Sequence, residues 1–251
     1  MQRVLSYVRR AVEMFDMIQD GDKIAVGVSG GKDSLVMLSA LARLKRFYPK
    51  KFELEAISID LFNGQSDYSK VAEFCKQLNV NYTVVPTNIY TVIFEDRKEK
   101  SPCSLCSKMR RGALNTQAKQ LGCNKIALGH HAEDLMETFL LSLVYEGRLS
   151  TFHPVSYMSN TALTVIRPLV LAPERLIVNV SKDMPVFFNC CPVNHKTQRE
   201  NMKVFLNEVE QKIPEIKQRL LGAIVNTDRY NMLDKMQEKN EKSKNQSDNK
   251  K

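Results

Sequence analysis

The run Ser29-Gly30-Gly31-Lys32-Asp33-Ser34 has the residue types of a phosphate cradle. Consecutive glycines let backbone amides come close to an oxyanion, Lys32 supplies a cation, and Ser29 and Ser34 add hydroxyl donors. It is not a Walker loop, which needs Ser or Thr directly after Gly-Lys and an earlier Gly five positions before. Asp33 and Val26 stand at those places here. The bland alternative is a strand-to-helix turn that uses Gly and Ser as turn and cap. A lone Gly-Gly would favour that reading; the full six-residue string favours phosphate.

A second constellation is Leu128-Gly129-His130-His131-Ala132-Glu133-Asp134, followed by Glu137 and Thr138. On a helix starting here, His130, Asp134, Glu137 and Thr138 fall near i, i+4 and i+7, along one face. The alternative is capping and surface polarity. Zinc is a weak reading, because His130 and His131 are adjacent and not at i, i+4. Asp60 closes an apolar segment, where it is either placed toward an adenosine or metal or is an ordinary strand-ending acid.

Of the six cysteines, Cys103 and Cys106 form C-S-L-C, a spacing that brings two thiolates to one metal. Taken alone it is compatible with zinc, a redox pair or iron–sulfur. Cys190 and Cys191 lie in NCCPVNHKTQRE, where His195 could complete a zinc set with Cys191. Cys75 sits among apolar residues and Cys123 beside a glycine, and both read as packing thiols.

These groups need elements to hold them. Apolar spacing predicts a helix over Leu5–Ile18, then a strand Lys23–Ser29 running into the glycine turn and a helix Leu35–Leu44. Strand Phe52–Asp60, helix Tyr68–Leu78, strand Val80–Pro86, helix Ser107–Leu121, strand Asn124–Gly129 and helix His131–Tyr145 follow. Thr161–Leu169 reads as a further strand, with a short helix from Pro173 and a helix Thr197–Leu221. Strands alternating with helices imply an open, mostly parallel α/β sheet covered on both faces. Ligands bind beyond the carboxyl ends of such strands, and each chemical segment follows a strand. The segment EGRLSTFHPVSYMSN receives no role.

The 251 residues are 43% hydrophobic, carry 37 Lys and Arg against 28 acids, and have a formal charge of +9. The excess favours a polyanionic partner. Lys108, Arg110 and Arg111 follow the C-S-L-C directly and are candidates for RNA phosphates, with Arg148, Arg167 and Arg199 vaguer ones. No apolar stretch approaches the roughly 20 residues that cross a bilayer, and MQRVLSYVRRAVEMFD lacks a signal-peptide apolar block. The expectation is a cytoplasmic protein with reduced thiols and no membrane association. Its organisation is expected to be an N-terminal helix (1–20), a catalytic domain (21–233) and a disordered basic tail (234–251).

SGGKDS resembles the PP-loop of the ATP pyrophosphatase superfamily, whose members cleave ATP between the α- and β-phosphates and adenylate a substrate. The Asp20-Gly21-Asp22-Lys23 entry and LGHHAED resemble its TtcA-like tRNA sulfurtransferases, over roughly residues 5 to 205. The resemblance implies a PP-loop, adenine nucleotide alpha-hydrolase-like fold. It also implies ATP, Mg2+ and a 4Fe-4S cluster. Ser29, Gly30, Gly31, Lys32, Asp33, Ser34, Asp60, Gly129, His130 and Asp134 would border the nucleotide, with Lys32 on phosphates and Asp33 holding magnesium. Pro192, Thr197 and Arg199 match the family's segment and favour Cys191 over Cys190 as the third cluster ligand beside Cys103 and Cys106. The implied reaction adenylates the C2 carbonyl oxygen of cytidine 32 in the tRNA anticodon loop and replaces it with sulfur. The donor would be a cysteine desulfurase or sulfide, and a homodimer is expected. Rival readings are lysidine synthesis, uridine thiolation, and a zinc-stabilised RNA-binding module without ATP turnover.

Overall fold

The computed structural model describes residues 1–97, 102–187 and 198–226. Helix α1 (Gln2–Met14) buries Val4, Val8, Ala11 and Val12 on one stripe. It ends four residues before the sequence expectation, because Asp16 turns left-handed (φ 46°) and tucks Met17 and Ile18 into the core. Strands β1 (Asp22–Gly27), β2 (Phe52–Asp60) and β3 (Asn81–Pro86) alternate with α2 (Lys32–Leu44) and α3 (Ser69–Gln77). A π-helical turn, Thr91–Asp96, precedes α4 (Pro102–Gln120). Then come β4 (Lys125–Ala127), α5 (Ala132–Glu146), β5 (Val155–Met158), β6 (Leu163–Ile166), α6 (Glu174–Ser181), α7 (Gln198–Lys212) and α8 (Ile216–Val225).

The six strands are ordered β3-β2-β1-β4-β6-β5, and all neighbours pair in parallel except β5 with β6. The α/β expectation holds. One face carries the large core, in which Val8, Leu38, Leu41 and Ile177 of α1, α2 and α6 meet Ile24 and Val26. The other face is covered by α4, whose Leu114 and Ala118 pack on Ala25, Ile57 and Ile126. Among the described residues no helix is long and apolar enough to cross a membrane.

Three local expectations are corrected. The segment given no role contains β5, an antiparallel edge strand. Helix α4 begins at Pro102, not near Ser107, because proline suits a helix's first turn where its missing N–H is no loss; C-S-L-C is therefore helical. The expected closing helix is two helices, α7 and α8, broken where Pro214 restricts the residue before it and Glu215 takes φ 65°. The expected tail, 234–251, lies outside the described residues.

Candidate active site at the carboxyl edge of the sheet

β1 and β4 are neighbours, and from them the chain runs outward in opposite directions, to β2 and β3 on one side and to β6 and β5 on the other. The turns leaving β1 and β4 thus diverge and open a crevice at the carboxyl edge, the usual ligand position in open α/β sheets. Both sequence constellations sit at this crevice.

The turn after β1 is built by its own side chains. Ser34 Oγ donates to the Gly31 carbonyl (2.9 Å) and accepts from the Ser29 amide (3.1 Å), and Ser29 Oγ accepts from the Gly31 amide (3.4 Å). Gly30 has φ 80°, and a Cβ there would lie 2.1 Å from the Phe187 ring. Phe187 donates its amide to the Gly30 carbonyl (3.1 Å) and meets Tyr68 edge-on at 5.2 Å. Gly31 caps α2, so the Lys32, Asp33 and Ser34 amides are first-turn donors without intrahelical acceptors. The helix dipole adds partial positive charge at the same place.

Gly129 passes directly over this turn: a Cβ would stand 3.2 Å from Asp33 C and Ser34 N. That approach brings the α5 start against the phosphate loop. Asp134 caps α5 by accepting the His131 amide at 2.8 Å, so the capping reading of this acid is realised. His131 is buried and lies within 3.3 Å of Glu133, 3.5 Å of Asp134 and 3.9 Å of both Asp33 and Glu174. Burial opposes its charging, but these carboxylates outweigh burial and raise its pKa above the usual histidine value. Neighbouring His130 behaves oppositely. Burial, with Arg167, Arg199 and His131 adding positive potential, lowers it to about 4, and it stays neutral.

Lys32 is shared between Asp33 (3.0 Å) and Glu174 (3.1 Å), and Lys203 joins the same Glu174 oxygen at 2.9 Å. Burial works against Glu174 ionising, yet Lys203, Lys32 and His131 together pull its pKa down to about 2. Glu133 accepts the Glu174 amide (2.7 Å) and so fixes the start of α6 against α5. Glu137, deep in the same corner, is pushed up to about 7 by burial and by Asp134, against the pull of Arg199 at 3.3 Å.

Asp60 is fully buried, and its carboxylate is used inside the loop that follows β2: it accepts from Phe62 N (3.3 Å), Ser66 Oγ (2.5 Å) and Gly64 N. The structure places it as the organiser of residues 61–66. Cys75 and Cys123 are buried, and burial pushes both thiols up to about 11, in keeping with packing roles.

The PP-loop domain family matches residues 4–200. The tRNA-cytidine(32) 2-sulfurtransferase of Citrifermentans bemidjiense is 41% identical over 240 residues, covering 93% of each chain. That of Geobacter metallireducens is 41% identical over 239 residues with the same coverage. This chain belongs to the PP-loop family of tRNA-cytidine(32) 2-sulfurtransferases. The U34-tRNA thiolase NcsA of Methanococcus maripaludis, solved with its 4Fe-4S cluster, superposes with a TM-score of 0.69 at 22% identity, over 92% of this chain and 80% of that one. At that identity the likeness is one of fold.

The C-S-L-C cysteines are carried by α4. Leu114 packs beside Gly27 at the end of β1, and each helical residue rises about 1.5 Å. Cys106 and Cys103 therefore stand roughly 12 and 16 Å further along α4, beyond the same carboxyl edge from which the phosphate loop leaves. Cys106 is half-buried against Leu61 and Ile93, while Cys103 is exposed. Spaced i, i+3, their sulfurs lie on one face of the first helical turn, which suits two ligands of a soft thiophilic centre. Cys190, Cys191 and His195 lie outside the described residues. Phe187, the last described residue before them, is held on the phosphate loop three and four positions earlier in sequence than the two cysteines. Among the described residues no three His, Cys, Asp or Glu side chains converge on a metal-sized point.

Sequence reasoning missed Glu174, Lys203 and Phe187. Lys203 lies in a charge-rich helix whose acids and bases look alike, and Phe187 in a stretch with no periodicity. Glu174 had a weak signal, as an acid just after Pro173 at a helix start facing the sheet edge.

Proposed function

We propose that this chain is an ATP-dependent tRNA sulfurtransferase that adenylates the C2 carbonyl oxygen of cytidine 32 in the anticodon loop and replaces it with sulfur. The observation that carries the reading is the joining, at one sheet edge, of a lysine-bearing phosphate loop with a paired-cysteine helix turn. In the first half-reaction the carbonyl oxygen attacks the α-phosphorus of ATP and pyrophosphate departs. Lys32 and the first-turn amides of α2 stabilise charge on the phosphates as that bond breaks. Glu174, itself anchored by Lys203, holds Lys32 in place. Asp33, half-exposed beside Lys32, holds Mg2+, and Gly129, His130 and Asp134 border the nucleotide. In the second half-reaction sulfur forms the new bond to C2, and the former carbonyl oxygen leaves with AMP.

Cys103, Cys106 and Cys191 would hold a 4Fe-4S cluster. When bound, three-thiolate ligation leaves one iron without a protein ligand, the chemistry by which exogenous sulfur is held for transfer. The donor is a cysteine desulfurase or free sulfide, the enzyme acts in the cytoplasm, and the assembly is a homodimer. Residues 1–20, which contain α1, precede a catalytic domain at 21–233, and 234–251 are a dispensable tail. Incubating the anaerobically reconstituted protein with tRNA, sulfide, free lysine, Mg2+ and ATP, then digesting the tRNA for nucleoside mass spectrometry, tests this. ATP-dependent 2-thiocytidine is the expected product. Pyrophosphate release with lysidine or 2-thiouridine as product would overturn the substrate assignment.

A further inference from the structure

The arginines nominated for RNA contact are not equivalent once placed. Arg148 is paired with Glu146 at 2.6 Å. Arg199 is spent on Thr138 (2.9 Å), the Asp134 carbonyl (3.3 Å) and Glu137 (3.3 Å). Arg167, one residue beyond the end of β6, differs. Its Nη1 donates to the His153 carbonyl (2.6 Å) and reaches Ser156 Oγ (3.5 Å), and its guanidinium lies over the Phe152 ring at 4.9 Å. Phe152 also packs on the His130 ring, with centroids 5.1 Å apart. Among the described residues Arg167 has no carboxylate partner, and its buried Nε finds no acceptor. Burial, joined by the positive charge of nearby Arg111, lowers its pKa to about 10.

The approach of Arg111 follows from α4. Asn115 Nδ2 reaches the Met158 sulfur at 3.9 Å, which fixes that face of α4 against the β5–β6 hairpin. Arg111 and Lys108 lie four and seven residues earlier on the same face, one and two turns nearer the carboxyl edge. Both are exposed, whereas Arg110 is half-buried on the Tyr68 side. The rim beyond β6 therefore holds two guanidiniums that repel each other, one partly desolvated and without a counter-ion. Burying the Arg167 charge beside a second cation costs folding energy unless an oxyanion neutralises it. A planar donor fork suits phosphate.

We propose that Arg111 and Arg167 form a phosphate subsite, lined by Lys108 and backed by Phe152, that seats one backbone phosphodiester of the RNA substrate. This deepens the tRNA reading above and rests on it. A phosphodiester there would fix the RNA at the β6 side of the crevice, across the phosphate loop from the paired-cysteine turn.

The test measures binding of the holoenzyme to tRNA and to a short oligouridylate over a salt series, for Arg111→Gln, Arg167→Gln and Arg167→Lys. Each Gln variant is expected to weaken tRNA binding several-fold and to reduce the magnitude of the log–log salt slope by about one. Arg167→Lys should keep the slope, and affinity for a non-hydrolysable ATP analogue should not change. Unaltered slopes in both Gln variants would overturn the subsite. So would loss of nucleotide affinity with RNA binding intact, which would assign the oxyanion to ATP. Arg111 is on an exposed helix surface, so its variant decides the matter if Arg167→Gln fails to fold. Arginine-dependent oligouridylate binding by an enzyme that makes no thiolated nucleoside would sink the thiolation reading and leave the subsite standing.

Discussion

Lys32 sits between two carboxylates, Asp33 and Glu174, and Glu174 is in turn neutralised by Lys203. Lys32→Ala removes the cation that the phosphate loop itself carries toward the leaving phosphates. It is expected to lower kcat/KM for ATP-dependent pyrophosphate release by about 100- to 1000-fold, the usual effect of losing one charge-stabilising donor. A loss below tenfold would show that the amides alone suffice. Glu174 contributes to stability with a definite sign. Its folded pKa, about 2, lies below the ordinary 4.5, so its contribution is fully present above about pH 4.5 and lost as pH falls toward 2. With the shift discounted for partial solvent screening, about 2 kcal/mol is involved. Glu174→Gln should lower the urea midpoint at pH 7 and converge with the parent near pH 2, and parallel curves at both pH values would contradict the linkage. Lys32 and Asp33 were legible because they stand together in one glycine-rich string. Glu174 and Lys203 were not, since only the packing of α6 and α7 against the sheet edge brings them there.

At the scale of elements, the phosphate turn and the strap that ends at Phe187 are one packed unit. Gly30 is required twice, by its φ of 80° and by the ring lying over it. A Cβ there must displace Phe187, so Gly30→Ala already loses most of what Phe187 contributes, plus about 1 kcal/mol of backbone strain. Phe187→Ala should therefore destabilise the parent clearly and Gly30→Ala little further, a coupling that unfolding of the two singles and the double measures. Fully additive losses would separate the strap from the turn. Strands β1 to β3 were legible from apolar, β-branched runs of the right length. The hairpin strand β5 was not, because its turn uses Ala162 at φ 52° in place of a glycine, and Tyr157 on its open edge is exposed. The start of α4 was hidden because C-S-L-C read first as a ligand motif, and a ligand motif does not announce helix.

For the molecule as a whole, the strand order explains why segments far apart in sequence meet. Neighbouring strands are about 4.8 Å apart, so the ends of β1, β4 and β6 lie within about 10 Å of one another along one edge. Phosphate loop, histidine pair and Arg167 each leave that edge, while α4 lifts Cys103 and Cys106 above it. The open sheet and the carboxyl-edge location were legible, because alternating strands and helices admit few other arrangements. Which charges pair with which was not, being a product of tertiary packing alone. The central claim is that a three-cysteine iron–sulfur centre serves an ATP-driven thiolation. Anaerobic reconstitution with iron and sulfide, followed by metal analysis of the parent and of Cys191→Ala, tests it most directly. The account predicts about four irons per chain in the parent, lost in the variant together with 2-thiocytidine formation. Stoichiometric zinc with no iron uptake, or full iron content in Cys191→Ala, would contradict it.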